Sequence, residues 1–394
     1  MKFSCEGENK MSEIKNKIIT ISGEPASGKS TVVRMLKEKY EEKGYTVHIE
    51  PIGHYWRDAA VETYKKIKPE IQNPTLDEIH ADPEFESFRK EIDIALDTKV
   101  RKRGEEINSQ IRPNEVFIFD SRLAWQNIPS SYAVRLTVDE KMAGLRVYND
   151  QDRGQEDKYP TEEAAIEATR IRKEEEIKRY INRYQVDLAN QENYDLIADT
   201  TFSNTEELAD IIIDGEKAYR EGNDYPKMWA SPLTFLSEQR EQDTYNNKVK
   251  ELVDIINENG FEPMNGTVEI AENEGIKILL NGNHRVCARL STGNTLVPYK
   301  VTNKDNGFSQ QIANMIYNDP SLNLVYDWAE ILSYFGGSIG NLQVEKIRDL
   351  KYIEGLKDLE DLRAKHLIAV SKVAKLRKIL GLEVTSEQQS EEYR

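Results

Sequence analysis

The residues with the clearest chemistry stand near the start of the chain, in Gly23-Glu24-Pro25-Ala26-Ser27-Gly28-Lys29-Ser30. This run fits G-x-x-x-x-G-K-[ST], follows an apolar strand-like stretch and opens a helical one, the setting in which such a loop binds phosphate. Glycines let the backbone curl so that its N–H groups face an anion, and the positive end of the following helix adds to the attraction. The backbone of Gly23, Ala26, Ser27, Gly28, Lys29, Ser30 and Thr31 would cradle the phosphates of a nucleoside triphosphate. Lys29 would reach the β- and γ-phosphates, and the Ser30 hydroxyl would ligate Mg²⁺.

A second group of chemical residues lies downstream. Asp120 closes the apolar run VFIFD, where an acid can hold Mg²⁺ or assist an acceptor; it could equally cap a turn. Arg57 and Arg122 end apolar or turn segments and can point into a cleft. Arg172, Glu176 and Arg179 fall at i, i+4 and i+7, on one face of a helix. Converging cations suit the transfer of a phosphoryl group to an anionic acceptor. The same spacing also describes a solvated face of surface ion pairs. Arg146 and Arg153 flank the Gly- and Asp-rich stretch VYNDQDRGQEDKYP, which reads as a lid that closes over the phosphates and excludes water.

These residues need a scaffold that brings loop ends together. KIITIS (17–22), TVHIE (46–50), VFIFD (116–120), YAVRLTV (132–138) and YDLIAD (194–199) are short and rich in β-branched residues, with helical stretches at 30–43, 84–109 and 161–191 between them. Such alternation predicts a parallel sheet with helices on both faces. Gly and Pro cluster at 222–232, which marks a boundary. Beyond it the pattern predicts a helix over 243–259, a β-hairpin running into a helix start over 266–290, and a strand over 295–301. Residues 309–385 read as helical, 386–394 as a disordered tail and 1–16 as a flexible leader with no apolar core.

Over residues 17–216 the chain resembles the archaeal-type cytidylate kinases, within the nucleoside monophosphate kinase family. Besides the phosphate loop, the resemblance rests on the aromatic-arginine segment Ile52–Ala60, the helix Glu91–Asp97, the turn Phe119–Trp125, the helix Arg172–Tyr180 and Y-D-L-x-x-D-T at 194–200. It implies a P-loop α/β/α kinase domain (17–221) that uses ATP and Mg²⁺. Lys29, Asp120 and Arg153 would be catalytic, Ser30 and Asp120 would hold the metal, and Gly53, Arg57, Asp93, Arg122, Arg172, Glu176 and Arg179 would bind a nucleotide acceptor. Pro51-Ile52 replaces the family's serine-alanine pair and Ser121 its glycine, both at the acceptor pocket. Phosphate chemistry therefore carries over further than the choice of base.

Residues 230–301 resemble the ParB/sulfiredoxin-like domain, through Ser231-Pro232-Leu233, Asn259–Pro263, Ile278–Arg285 and Val297-Pro298. The resemblance implies a small α+β domain (222–308) with a second nucleotide or phosphate site at Gly282, Asn283, His284 and Arg285. His284 reads equally as a structural histidine. Asn283 stands where sulfiredoxins have their cysteine, which argues against that chemistry, and Cys287 reads as a small buried residue. Members of this superfamily also bind DNA, so nucleic acid is a possible partner and a modified pyrimidine in DNA an alternative acceptor. A nucleotide-dependent switch without turnover is a third reading.

Composition bounds these readings. A net charge of −16 counts against a dedicated DNA binder. Two cysteines, Cys5 and Cys287, neither staple a chain of 394 residues nor form a zinc cluster. The sparse cysteines imply a reducing, cytoplasmic setting, and no apolar run is long enough for a membrane span.

Overall fold

A computed structural model describes residues 16–302, apart from 76–77, 80–81, 151–158, 238–246 and 274–275. The expected leader, the helical region 309–385, the tail and Arg153 lie outside the described residues.

Strand β1 (Lys17–Gly23) is buried along its whole length, as its isoleucine-rich sequence requires of a central strand. Strands β2 (Thr46–Pro51), β3 (Glu115–Asp120), β4 (Tyr132–Thr137), β5 (Leu196–Asp199) and β6 (Met228–Ala230) join it in the order β2-β3-β1-β4-β5-β6, all parallel. Side chains alternate between the faces. Ile19, Ile21, Val116 and Ile118 pack beneath helices α1 (Lys29–Glu42) and α7 (Thr205–Glu221), while Ile18, Phe117 and Phe119 pack with Val100 and Ile107. Those last two belong to α3 (Glu86–Asn108), which also packs on α2 (Ile52–Ile67). The result is the three-layer α/β/α arrangement expected of residues 17–221.

The chain leaves β3 on one side of β1 and enters β4 on the other, through the short helix α4 (Ala124–Asn127). Sheets of this kind open a ligand crevice at the carboxyl ends of the strands where the order switches. The phosphate loop follows β1, and Asp120 to Arg122 follow β3, so both lie at that crevice. Helices α5 (Glu140–Asn149) and α6 (Glu162–Tyr184) pack together as its outer wall.

The sheet runs on past the boundary drawn at 222. Strand β10 (Val297–Val301) pairs antiparallel with β6, followed by β8 (Val268–Asn273), β9 (Ile276–Asn281) and β7 (Phe235–Ser237). The β8–β9 hairpin forms as the sequence pattern predicts, and β9 leads into α10 (Asn283–Ser291). Helix α8 (Asn247–Asn259) packs on α10, and the single turn α9 (Pro263–Gly266) precedes β8. Buried polar contacts fasten this second unit to the first. Glu207 of α7 pairs with Arg289 at 3.0 Å and accepts from the Thr295 hydroxyl (2.7 Å) and amide (2.6 Å).

Candidate phosphoryl-transfer site

The loop after β1 adopts the conformation its glycines allow. Gly28 has φ +75° and Ala26 φ +57°, both left-handed, a cost that loops with a binding role tolerate. A Cβ on Gly23 would stand 2.6 Å from the Ser27 hydroxyl and 3.3 Å from Leu136 Cβ, so the close turn requires glycine there. Gly28 caps α1 without a side chain, which leaves the first-turn amides of Lys29, Ser30 and Thr31 for an external acceptor. Thr200 Oγ1 donates to the Ser27 carbonyl at 3.0 Å. Carbonyl and amide of one trans peptide unit point in opposite directions, so this bond turns the Gly28 N–H away from Thr200. The Ser27 hydroxyl is itself buried with no hydrogen-bond partner, an orphan of the kind a bound phosphate oxygen relieves.

Arg146, expected on a lid, is instead part of the loop's support. It lies near the end of α5 and donates to the Ala26 carbonyl (3.1 Å) and the Thr200 carbonyl (2.6 Å). Glu24 is clamped between Arg135 of β4 (3.2 Å) and Lys173 of α6 (3.0 Å). The sequence pattern singled out neither of these cations.

Lys29 and Asp120 come together across β1 and β3, with Lys29 Nζ donating to Asp120 Oδ1. The carboxylate is thus engaged by the loop lysine, whereas the cap position of the following helix is held by Leu123. Burial depresses the Lys29 pKa and the nearby Arg122 and Arg57 depress it further, against the opposing pull of Asp120. Lys29 and Arg122 therefore meet at one buried carboxylate, with Arg57 near Lys29. Ser30 and Asp120 offer a hydroxyl and a carboxylate, hard oxygen donors of the type Mg²⁺ prefers. Among the described residues no cluster of three or more His, Cys, Asp or Glu could hold a metal by itself. A divalent ion here would share its coordination with substrate phosphates and water.

Across the crevice, Arg122 and Glu176 form a two-point pair: Nε donates to Oε1, and Nη2 to Oε2 at 2.9 Å. Burial opposes both charges, but the partner's charge and hydrogen bond, with neighbouring charges, together outweigh it, raising the Arg122 pKa and lowering that of Glu176. Arg172 and Arg179, exposed on the same face of α6, add to the positive field on Glu176. Trp125 Nε1 donates to the Arg122 carbonyl at 3.0 Å and fixes the turn. Asp93 of α3 accepts from Trp56 Nε1 of α2 at 2.5 Å and pairs with Arg183 of α6 at 2.6 Å, with Tyr184 a further donor. Its own burial raises its pKa. Arg183 and Trp56 were not picked out individually from the sequence, although Arg183 continues the α6 face by one more turn. Gly53 opens α2 with free space around it, and Arg57 is exposed on the same helix.

The Gly282–Arg285 turn is distant in sequence from this crevice. Gly282 has φ +115° and packs on Val268, where a Cβ would come within 2.6 Å. Arg285 Nη1 donates to the Thr267 carbonyl, so its guanidinium braces the turn. Cys287 is buried.

The sequence profile described as the cytidylate kinase-like family matches residues 18–201. A cytidylate kinase of Methanocella arvoryzae is 30% identical over 195 residues, covering 50% of this chain and 94% of that protein. The chain belongs to the cytidylate kinase-like family. A second cytidylate kinase, from Halobacterium salinarum, is 31% identical over 211 residues, 52% of this chain and 93% of the relative. An S-adenosylmethionine-dependent nucleotide dehydratase of Lacinutrix mariniflava is 30% identical over 198 residues, and the match spans only 35% of that protein. Among the described residues no helix is long and apolar enough to cross a membrane.

Proposed function

We propose that residues 17–221 transfer the γ-phosphoryl group of ATP to the phosphate of a nucleoside monophosphate, with CMP as the first acceptor to test. An acceptor phosphate oxygen attacks the γ-phosphorus, the bond to the β,γ-bridging oxygen breaks, and ADP and a nucleoside diphosphate leave. The acceptor phosphate is already a dianion near neutral pH, so no side chain has to remove a proton. What the protein supplies is position and positive charge, the main needs of a loose phosphoryl-transfer transition state.

The meeting of Lys29 and Arg122 at Asp120, with Arg57 close enough to act on the Lys29 charge, carries this reading. In it, the loop amides of 26–31 hold the ATP phosphates and Lys29 moves from Asp120 to the β- and γ-oxygens. Ser30 and Asp120 would hold Mg²⁺, which neutralises phosphate charge when bound. Arg122, oriented by Glu176, faces the acceptor phosphate together with Arg57, Arg172 and Arg179. Trp56, Asp93 and Arg183 form the far wall, against the acceptor's sugar and base. The relatives' names agree on a nucleotide substrate, and two of them name cytidylate. The Gly282–Arg285 turn enters the reading as a second phosphate site on the ParB-like resemblance and the helix start at Asn283.

The test is to incubate the protein with ATP, Mg²⁺ and a panel of nucleosides, nucleoside monophosphates and hydroxymethylpyrimidine oligonucleotides. Formation of a nucleoside diphosphate, abolished in Lys29→Ala, is the expected result. Transfer only to the oligonucleotides, or unchanged transfer in Lys29→Ala, contradicts it.

A further inference from the structure

We propose that Lys277, in the second unit, is a positioning residue for the ATP site of the first. The inference rests on the reading of residues 23–31 as the ATP phosphate site.

Only Ser231–Thr234 separate β6 from β7, and β7 pairs with β9 through Phe235 and Lys277. This pairing brings the first residues of β9 back to the carboxyl end of β5. There Lys277 Nζ meets Asp199 Oδ2 at 3.0 Å, with both side chains only 11% exposed. The other oxygen of Asp199, Oδ1, accepts from the Thr201 amide at 3.0 Å and from its hydroxyl at 2.5 Å. The Thr201 hydroxyl in turn accepts from the amide of Asp139 at 2.9 Å, and Asp139 is the N-cap of α5. Helix α5 carries Arg146, which holds the Ala26 and Thr200 carbonyls, while Thr200 Oγ1 holds the Ser27 carbonyl.

Hydrogen bonds, joined by the Thr200–Thr201 backbone and by helix α5, therefore lead from Lys277 to two peptide units of the phosphate loop. A buried carboxylate that loses its cation either takes up a proton or moves toward water. Either response alters the Asp199 bonds that shape the 199–201 turn. The turn is the shared anchor of Ser27 and Arg146, so its displacement turns the loop amides away from the phosphate. The hydrogen bonds named here come from β5, β9, α5 and the phosphate loop, and not from α2, α3 or α6 of the acceptor side. Lys277 acts through Asp199 and does not itself touch nucleotide.

The experiment measures the dissociation constant of a fluorescent ATP analogue, and KM for ATP and for acceptor, in the full chain. Lys277→Met is expected to weaken ATP-analogue binding about tenfold, with acceptor KM within about twofold of wild type. The double variant Lys277→Met/Asp199→Asn, which removes both charges, is expected to recover most of that loss. Thr201→Val, which cuts the same path one link further on, provides a second reading if Lys277→Met does not fold. An ATP-analogue affinity within twofold of wild type in a folded single variant overturns the proposal. If wild-type protein binds the analogue but phosphorylates no acceptor, the kinase reading fails while the binding measurements still judge Lys277.

Discussion

Arg122 and Glu176, 54 residues apart in sequence, meet in a two-point ion pair that ties the turn after β3 to the middle of α6. The geometry fixes the plane of the guanidinium, which a single contact would leave free to swivel. Glu176→Gln should therefore raise the acceptor KM by about 10- to 100-fold, a loss of about 1.4–2.7 kcal/mol, and leave ATP binding within about a factor of two. Arg122→Ala should have the same direction and a larger size. Steady-state kinetics at fixed saturating ATP will show both.

The same pair sets an acid limit on stability. Burial pushes the Glu176 pKa up, but the charge and hydrogen bond of Arg122, with the charges of Arg179 and Arg172, together hold it below its ordinary value of 4.5. A depressed carboxylate contributes stability that is present above the unfolded value and is lost as pH falls through the folded one. Thermal denaturation from pH 6 downward should show wild type losing stability below about pH 4.5, with a smaller loss in Glu176→Gln.

Lys29 sets the alkaline limit. Its pKa is depressed by burial and by the neighbouring arginines, so the free enzyme loses this charge below the usual lysine value of 10.5. The phosphate-binding form is the protonated one, so kcat/KM for ATP should decline as pH rises toward that value. In Lys29→Arg, whose side chain stays charged, the decline should vanish even though overall activity is low. A pH profile of kcat/KM for ATP measures both.

Gly23→Ala should weaken ATP without touching the acceptor side. The added Cβ meets Ser27 Oγ at 2.6 Å and Leu136 Cβ at 3.3 Å, so the loop has to shift. About a tenfold rise in KM for ATP is expected, corresponding to about 1.4 kcal/mol of lost positioning.

Much of the site was legible because its parts are local in sequence. The phosphate loop is one continuous motif, and Asp120 with Arg122 sits at the end of one apolar strand. Arg172, Glu176 and Arg179 were readable from helical spacing, and the same rule carried one turn further reaches Arg183. Trp56–Asp93 and Lys277–Asp199 were not legible, since their partners lie 37 and 78 residues apart and no spacing rule joins them. Arg146 illustrates a different failure. Its Gly- and Asp-rich surroundings suggested a lid, but its helix points it at the Ala26 and Thr200 carbonyls. The continuation of the sheet beyond 222 was hidden because β6, the strand that joins the two units, is only three residues long.

Those units are also joined by Glu207 and Arg289, a pair almost wholly buried. Arg289→Met leaves the Glu207 carboxylate without its cation and should destabilise the fold by about 3–5 kcal/mol. Urea denaturation followed by circular dichroism will read the loss as a lower midpoint.

The central claim is that the β1 and β3 crevice moves a phosphoryl group between nucleotides. Its most direct measurement is ³¹P NMR of the purified protein with ATP, Mg²⁺ and CMP, run beside Lys29→Ala. The account predicts that β-phosphate signals of ADP and CDP grow together in wild type and stay absent in the variant. Release of inorganic phosphate with no nucleoside diphosphate formed from the acceptor, across the whole monophosphate panel, would contradict it.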